Sequence, residues 1–458
     1  MASRHSFLAD DFREISYWWE AWQPHDHTPM DVSRETHTAI IGAGYAGLCC
    51  ALELARSGET VTVLEAGLPG SGASTLSGGQ VTGGVNVGKR MTGRAALDPA
   101  RVEARLREAA AGYRFLETLI ETEGIDCDYR RSGRLAPAWT REHLAKWQAR
   151  IETLNALTDS NVQVLSREAL RDELATDAYV GGVLINGAGQ LHPARYYAGL
   201  LSTALAAGVR LCSQAPVTDM VREGAHYRLT TARGSLTAAR VIIATNGYTG
   251  ALSPVLRRGI VPVVSHQIAT QILPEHLQHA LIPRKRGVAD TGRVTTYYRY
   301  SPDGQRFLFG GRARFYPLNR RQSARVLHQQ MTLRFPQLRD VPVSYSWGGR
   351  VAVTLDALPH LGQTAPDCYY ALGCNGSGIT TMSWLGHRLA RHLIEDEPLD
   401  NSAFGTPLPG HPLYHGRPWF MPVLGSYYQW RDRLDRRREH ARREQASSPH
   451  QASNNNNP

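Results

Sequence analysis

Lysine is scarce in this chain. Of its 51 basic residues only Lys89, Lys146 and Lys285 are lysine, so arginine carries the formal charge of +10. The arginines are spread along the chain, and the one dense run, Arg431 to Arg443, is interleaved with acids. With no RNA- or DNA-binding motif beside it, that charge does not indicate a nucleic-acid partner. Cysteine is also sparse: Cys49, Cys50, Cys127, Cys212, Cys368 and Cys374 include no CxxC pair and no Cys/His cluster at zinc spacing. That excludes a zinc module and a dense disulfide framework, and free thiols in a reducing compartment are expected. No apolar run approaches the roughly 18 residues of a membrane helix. The segment Met1 to Met30 carries Asp10, Asp11 and Glu14 and lacks a basic stretch followed by an apolar one. It does not read as a signal peptide, so a cytoplasmic location is expected. Internal repeats are absent.

What is present reads as an α/β protein of two domains. Thr38–Ile41 is a short apolar strand, Gly42 to Gly47 a turn, Leu48 to Arg56 a helix and Val61–Leu64 a second strand. From Pro99 to Asp159 the pattern is helical, with Leu106, Tyr113, Leu116 and Ile120 on one stripe and a short strand, Arg134–Pro137, inside it. Pro193–Ala207 is helical; Val209–Cys212, Tyr227–Thr231 and Val241–Ala244 are strands. Residues 256–347 alternate as strands, with Tyr297–Tyr300 and Phe307–Phe309 the clearest. A glycine-rich turn and helix return at Gly373 to Ile394. From Arg436 the chain is polar and ends in four asparagines and a proline, a composition that predicts disorder.

Gly42-Ala43-Gly44-Tyr45-Ala46-Gly47 fits GxGxxG, a weak signal alone. Here the glycines follow a strand and open a helix, and Glu65 ends the next strand eighteen residues after Gly47. Each feature has a physical role. Gly42 permits the turn, Gly44 lets a pyrophosphate approach the backbone, and Gly47 lets helix and strand pack closely. The helix start offers free N–H groups and partial positive charge to phosphates. A carboxylate at Glu65 accepts hydrogen bonds from both ribose hydroxyls and repels a 2′-phosphate. The small-residue loop that follows, Gly70 to Ser74 and Ser77 to Gln80, can wrap a pyrophosphate and reach a flavin ring, which favours FAD over NAD.

Further segments carry a resemblance. Ser16-Tyr17-Trp18, Gly72-Ala73-Ser74, Gly78-Gly79-Gln80, Gly189 to Pro193, Val241 to Tyr248, Pro262-Val263, Gly310 to Arg312, Trp347 to Gly349 with Asp356, Pro359 and Gly362, and Gly373 to Thr380 all match family signatures. Over about Ser16 to Leu434 the chain resembles the D-amino-acid-oxidase superfamily. Within it, the similarity is to the γ-glutamylputrescine oxidoreductases and the glycine- and sarcosine-oxidase-like enzymes. The resemblance implies a Rossmann-like FAD-binding domain assembled from three chain segments, 33–95, 187–255 and 348–400. It implies a mixed-sheet substrate domain from 96–186 and 256–347. Residues 1–32 and 401–435 would be extensions and 436–458 a disordered tail. Candidate FAD contacts are Gly42, Gly44, Tyr45, Ala46, Gly47, Glu65, Ala66, Gly72, Ala73, Ser74, Gly79, Gln80, Val217, Asn246, Gly376, Gly378, Ile379 and Thr380.

Two departures from the family matter. Sarcosine oxidases attach flavin through a cysteine just after the Trp-Gly region; Val351 to Leu355 contains none, so noncovalent FAD is expected. They also place a lysine over the flavin, and Arg306 to Phe309 has no lysine, which would suit a dehydrogenase using an acceptor other than oxygen. Oxidation of a C–N bond in a small amine or amino acid, by hydride transfer, is the function implied, with hydrolysis of the imine to follow. His266, Tyr298 and Trp347 are the substrate-pocket candidates; Arg299, Arg312 and Arg350 are available for a carboxylate. The competing readings are a dehydrogenase of the same fold, a flavin hydroxylase, whose Gly-Asp-Ala motif is missing here, and a non-catalytic flavoprotein subunit.

Overall fold

A computed structural model describes residues 6–26, 32, 34–84 and 99–447. Two large sheets organise it. The first is built on parallel strands drawn from distant parts of the chain. Glu35–Ile41 lies between Val61–Leu64 and the end of Gly234–Ile243; Arg210–Cys212 and Cys368–Leu372 flank them, all parallel. Their shared segments are buried on both faces, as parallel strands covered by helices must be: Ala39, Ile40, Val63, Val241 and Leu372 are each essentially inaccessible. The helices Tyr45–Arg56, Pro193–Ala206 and Gly378–Glu395 pack into the same core.

The second sheet has nine strands. Their order is Leu8–Arg13, Val343–Thr354, Ile260–Thr270, Phe307–Gly311, Thr296–Tyr300, Gly287–Ala289, Arg134–Ala138, Gly181–Ile185 and Val162–Leu165. Pairing is antiparallel except at Leu8–Arg13 with Val343–Thr354 and at Gly287–Ala289 with Arg134–Ala138. One face rests on an aromatic core in which Tyr298 stacks on Phe309, 5.6 Å between centroids, and meets Phe335 edge-on. The N-terminal segment is more than an appendage: it supplies the edge strand, and its fully buried Trp18 donates from Nε1 to the Ser77 carbonyl at 2.8 Å.

The C-terminal expectation needs correction. A helix runs over Met421–Ser447, so residues 436–447 are ordered; residues 448–458 lie outside the described residues. Its polar composition hid specific long-range partners. Asp432 and Asp435 hold Arg293 at 2.9 and 2.6 Å, and buried Glu439 sits 3.5 Å from Arg141. Segments that pair their charges against a folded surface do not need an apolar stripe of their own. Among the described residues all six cysteines are free and buried, and no helix is long and apolar enough to cross a membrane.

Candidate functional site

A cleft of about 1260 Å³ runs between the two sheets. One end is made by the glycine turn. Gly42 has φ +107°, and a Cβ there would lie 3.0 Å from the Ala244 carbonyl oxygen, so only glycine makes this turn. Gly47 does not line the cleft; a Cβ on it would stand 2.0 Å from the Gly42 oxygen, so its role is close packing of helix on strand. Glu65 holds the turn from below. Its Oε2 accepts the Ala43 N–H at 2.8 Å and its Oε1 the Gly67 N–H at 3.1 Å. Tyr197 Oη donates to the Ala43 carbonyl at 2.8 Å and Tyr45 Oη to the Ser74 carbonyl at 2.6 Å.

Two helices begin at this cleft, and neither start is capped by a side chain. Gly44 precedes Tyr45–Arg56 and Ser377 precedes Gly378–Glu395. Orphan N–H groups at a helix start usually find a side-chain oxygen; left open onto a cavity they form an anion site. Between them lie Ala66, Gly72, Ala73, Ser74, Gly79, Gln80, Val217, Asn246, Gly376, Ile379 and Thr380, which with Gly42, Gly44, Tyr45, Ala46, Glu65 and Gly378 line the cleft. Asn246 also fixes the second turn, its Oδ1 accepting the Gly373 N–H at 3.1 Å. Two open donor clusters, a carboxylate and a long channel between them match an extended dinucleotide.

The other end of the cleft is a sheet face. Ser265, Ala289 and Tyr297 point into it, and Gly349 lines it. Tyr297 Oη and Ser265 Oγ are 3.0 Å apart, and a Cβ at Gly310 would lie 2.4 Å from the Tyr297 ring, so that glycine makes room for the phenol. Burial pushes the Tyr297 phenol up to about 12, keeping it protonated at neutral pH. Gln80 Nε2 donates to the Val288 and Tyr298 carbonyls at 3.0 and 3.3 Å and fastens the glycine loop to this sheet. Asp290 lines the cleft, but its carboxylate is engaged by Trp139 Nε1, the Thr296 hydroxyl and Arg334, which leaves it no freedom as a base.

The three expected substrate-pocket residues do not line the cleft. Successive side chains of a strand face opposite ways. Tyr297 takes the cleft face, so Tyr298 points into the aromatic core and bonds Tyr179 Oη at 3.1 Å. His266 shares the far face, and burial, with Arg320 nearby, pushes it down to about 4. Trp347 is on the near face but lies beneath the glycine loop, donating from Nε1 to the Leu76 carbonyl at 3.2 Å. Among the arginines considered, Arg312 and Arg350 reach the cleft. Arg299 does not: its guanidinium is buried against the Gly79, Leu191 and Tyr300 carbonyls. The residues missed were Ser265, Tyr297 and Arg134. For Arg134 the only signal was a charge at the head of a short apolar strand, directly before Leu135-Ala136-Pro137-Ala138.

Comparison with known proteins agrees with this architecture. The profile of the DAO family, described as FAD dependent oxidoreductase, matches residues 37–392. γ-Glutamylputrescine oxidoreductase of Escherichia coli is 31% identical over 419 residues, covering 89% of this chain and 96% of that one. Glycine oxidase of Geobacillus kaustophilus is 27% identical over 340 residues, 71% of this chain and 83% of the relative. Among solved structures, L-proline dehydrogenase of P. horikoshii superposes with a TM-score of 0.67 at 20% identity, covering 82% of this chain and 96% of that one. At that identity the likeness concerns the fold alone.

Proposed function

This chain belongs to the DAO family of FAD-dependent oxidoreductases, and from that premise we propose that it oxidises the C–N bond of a small amine or amino acid with noncovalently held FAD. The observation that carries the reading is the pair of uncapped helix starts, at Gly44 and Ser377, opening with Glu65 onto one cleft that continues to the Tyr297 face. The glycine turn would hold the pyrophosphate, Glu65 the ribose, and the Gly378 helix start the electron-rich edge of the flavin. FAD held there would supply the oxidant for removal of a hydride from the carbon next to nitrogen. Cys374 is the one cysteine on the cleft lining; its Sγ turns toward the Ala352 carbonyl at 3.7 Å, in keeping with flavin that is not covalently attached.

The protein's own share is orientation, exclusion of water and control of a proton. Hydride loss needs a neutral amine, because an ammonium ties up the lone pair that becomes the imine bond. Burial in a cleft beside Arg312 and Arg350 disfavours the ammonium and lowers the substrate's pKa. Tyr297 Oη is available to hold the neutral nitrogen. Hydrolysis of the imine would complete the reaction.

Anaerobic stopped-flow reduction of the flavin, across pH and with a panel of polyamines, N-methyl amino acids and D-amino acids, tests this. The rate should rise with pH through one ionisation that moves with the substrate. A pH-independent rate, or reduction by alcohols and by no amine, would overturn it. Acid precipitation should release all flavin to the supernatant; yellow pellets refute noncovalent binding. A second reading, a dehydrogenase using an acceptor other than oxygen, is favoured by the strand Phe307–Gly311, which carries no lysine beside Tyr297. Peroxide formed per turnover separates the two.

A further inference from the structure

Arg134 is the first residue of the strand Arg134–Ala138, and its side chain lines the cleft while remaining 5% exposed. Two other buried arginines show how this protein normally treats such a group. Arg299 donates to three carbonyls, and Arg334 bonds Asp290 at 2.9 Å and Tyr179 Oη at 3.1 Å. Arg134 has neither kind of partner: among the described residues its Nε is buried without a hydrogen bond, and no carboxylate stands beside it. Burial alone drags its guanidinium down to about 10, with nothing opposing the shift. A desolvated, unpaired cation costs stability and is retained where a ligand completes it.

Its position says which part of a ligand that would be. Arg134 pairs with Gly287, whose strand pairs in turn with Thr296–Tyr300. Arg134 and Tyr297 are thus on one face of the sheet, two strand spacings across and two residues along, about 12 Å apart. Arg150, on the helix Arg141–Leu157, lines the cleft as well, and Lys146, one turn earlier, lines it while paired with Glu142 at 2.7 Å.

We propose that Arg134 binds a carboxylate at the end of the substrate remote from the C–N bond, so that the preferred substrates are amines carrying an anionic group several bonds away and not simple diamines. This rests on the amine-oxidising function proposed above. A bidentate guanidinium–carboxylate pair would supply both the missing counter-charge and the missing hydrogen-bond acceptors.

The experiment uses the holoenzyme and two readouts. The first is binding of glutarate, with glutaramide as its neutral counterpart, followed by thermal shift and by perturbation of the flavin spectrum. Glutarate should bind and glutaramide should not. Arg134→Met should weaken glutarate on the order of 10- to 100-fold, with Arg134→Lys falling between. The second readout is kcat/KM for ω-amino carboxylic acids of four to eight carbons against alkylamines of equal length. The carboxylates should be preferred, with an optimum chain length, and Arg134→Met should shrink that preference through KM. Glutarate binding that depends on Arg134, in a protein that oxidises no amine, would keep this inference and sink the function. Amine oxidation without preference for the carboxylates, or equal binding of glutarate and glutaramide by the unaltered protein, would overturn it even if Arg134→Met fails to fold.

Discussion

Arg334 Nη2 stands 2.9 Å from Asp290 Oδ2, and both side chains are closed to solvent. Asp290 also accepts from Trp139 Nε1 at 3.0 Å and the Thr296 hydroxyl at 2.6 Å. The pair therefore anchors the loop that forms one wall of the cleft. Removing one partner leaves an uncompensated buried charge. Arg334→Leu should cost about 3–5 kcal/mol of stability, read from denaturant unfolding of the holoenzyme. A loss below about 1 kcal/mol would show that the pair is dispensable.

Glu65 is expected to carry the ribose while bracing the glycine turn through Ala43 and Gly67. Glu65→Ala should weaken FAD binding by about 1.5–3 kcal/mol, the scale of a charged hydrogen bond. Glu65→Gln keeps an acceptor and should lose less. Titration of apoprotein with FAD checks both, and unchanged affinity in Glu65→Ala would remove Glu65 from the ribose.

Acid should destabilise the protein through two histidines. Burial, aided by Arg195 and Arg299, pushes His192 down to about 3; burial, aided by Arg320, pushes His266 down to about 4. Unfolded, each titrates near 6.5. Below that pH the unfolded chain binds more protons than the folded one, so the stability present above about 6.5 is lost as pH falls toward the folded values. The slope should approach about 2.7 kcal/mol per pH unit for the two together. His192 Nδ1 accepts the Arg195 N–H at the start of Pro193–Ala206. His192→Asn preserves that cap and should remove about half of the slope between pH 6 and pH 4.5. An unchanged slope would contradict it.

Asp432, on the C-terminal helix, accepts the backbone N–H groups of Arg293 and Val294 at 3.2 and 3.0 Å and pairs with the Arg293 guanidinium. Arg293 lines the cleft. Asp432→Ala frees that loop, so KM should rise several-fold with kcat little changed, because positioning is lost and the reacting groups are not. Flavin content should stay constant. A change in kcat alone would place the effect elsewhere.

Local periodicity and turn chemistry made the nucleotide half of this protein legible from its residues. Gly42, Gly44 and Gly47 after an apolar strand, Glu65 at the end of the next, and the turn before Gly378 all lie where short-range geometry puts them. Such features depend on contacts a few residues apart and on conformations few side chains allow. The substrate half depended on parity and pairing, which are properties of the assembled sheet. Tyr297 and Tyr298 are chemically identical neighbours, and only the register against Gly310 and Phe309 sends one into the cleft and the other into the core. Likewise, nothing near Arg134 in the chain shows that it lacks a partner while Arg299 has three carbonyls. The end of the C-terminal helix, from Arg436, reads as a disordered tail because the partner of its buried Glu439, Arg141, is far away in sequence. Hydrogen-bonding and charge complementarity over such separations exist only once the two sheets have closed on each other, and that closure is where the cleft was decided.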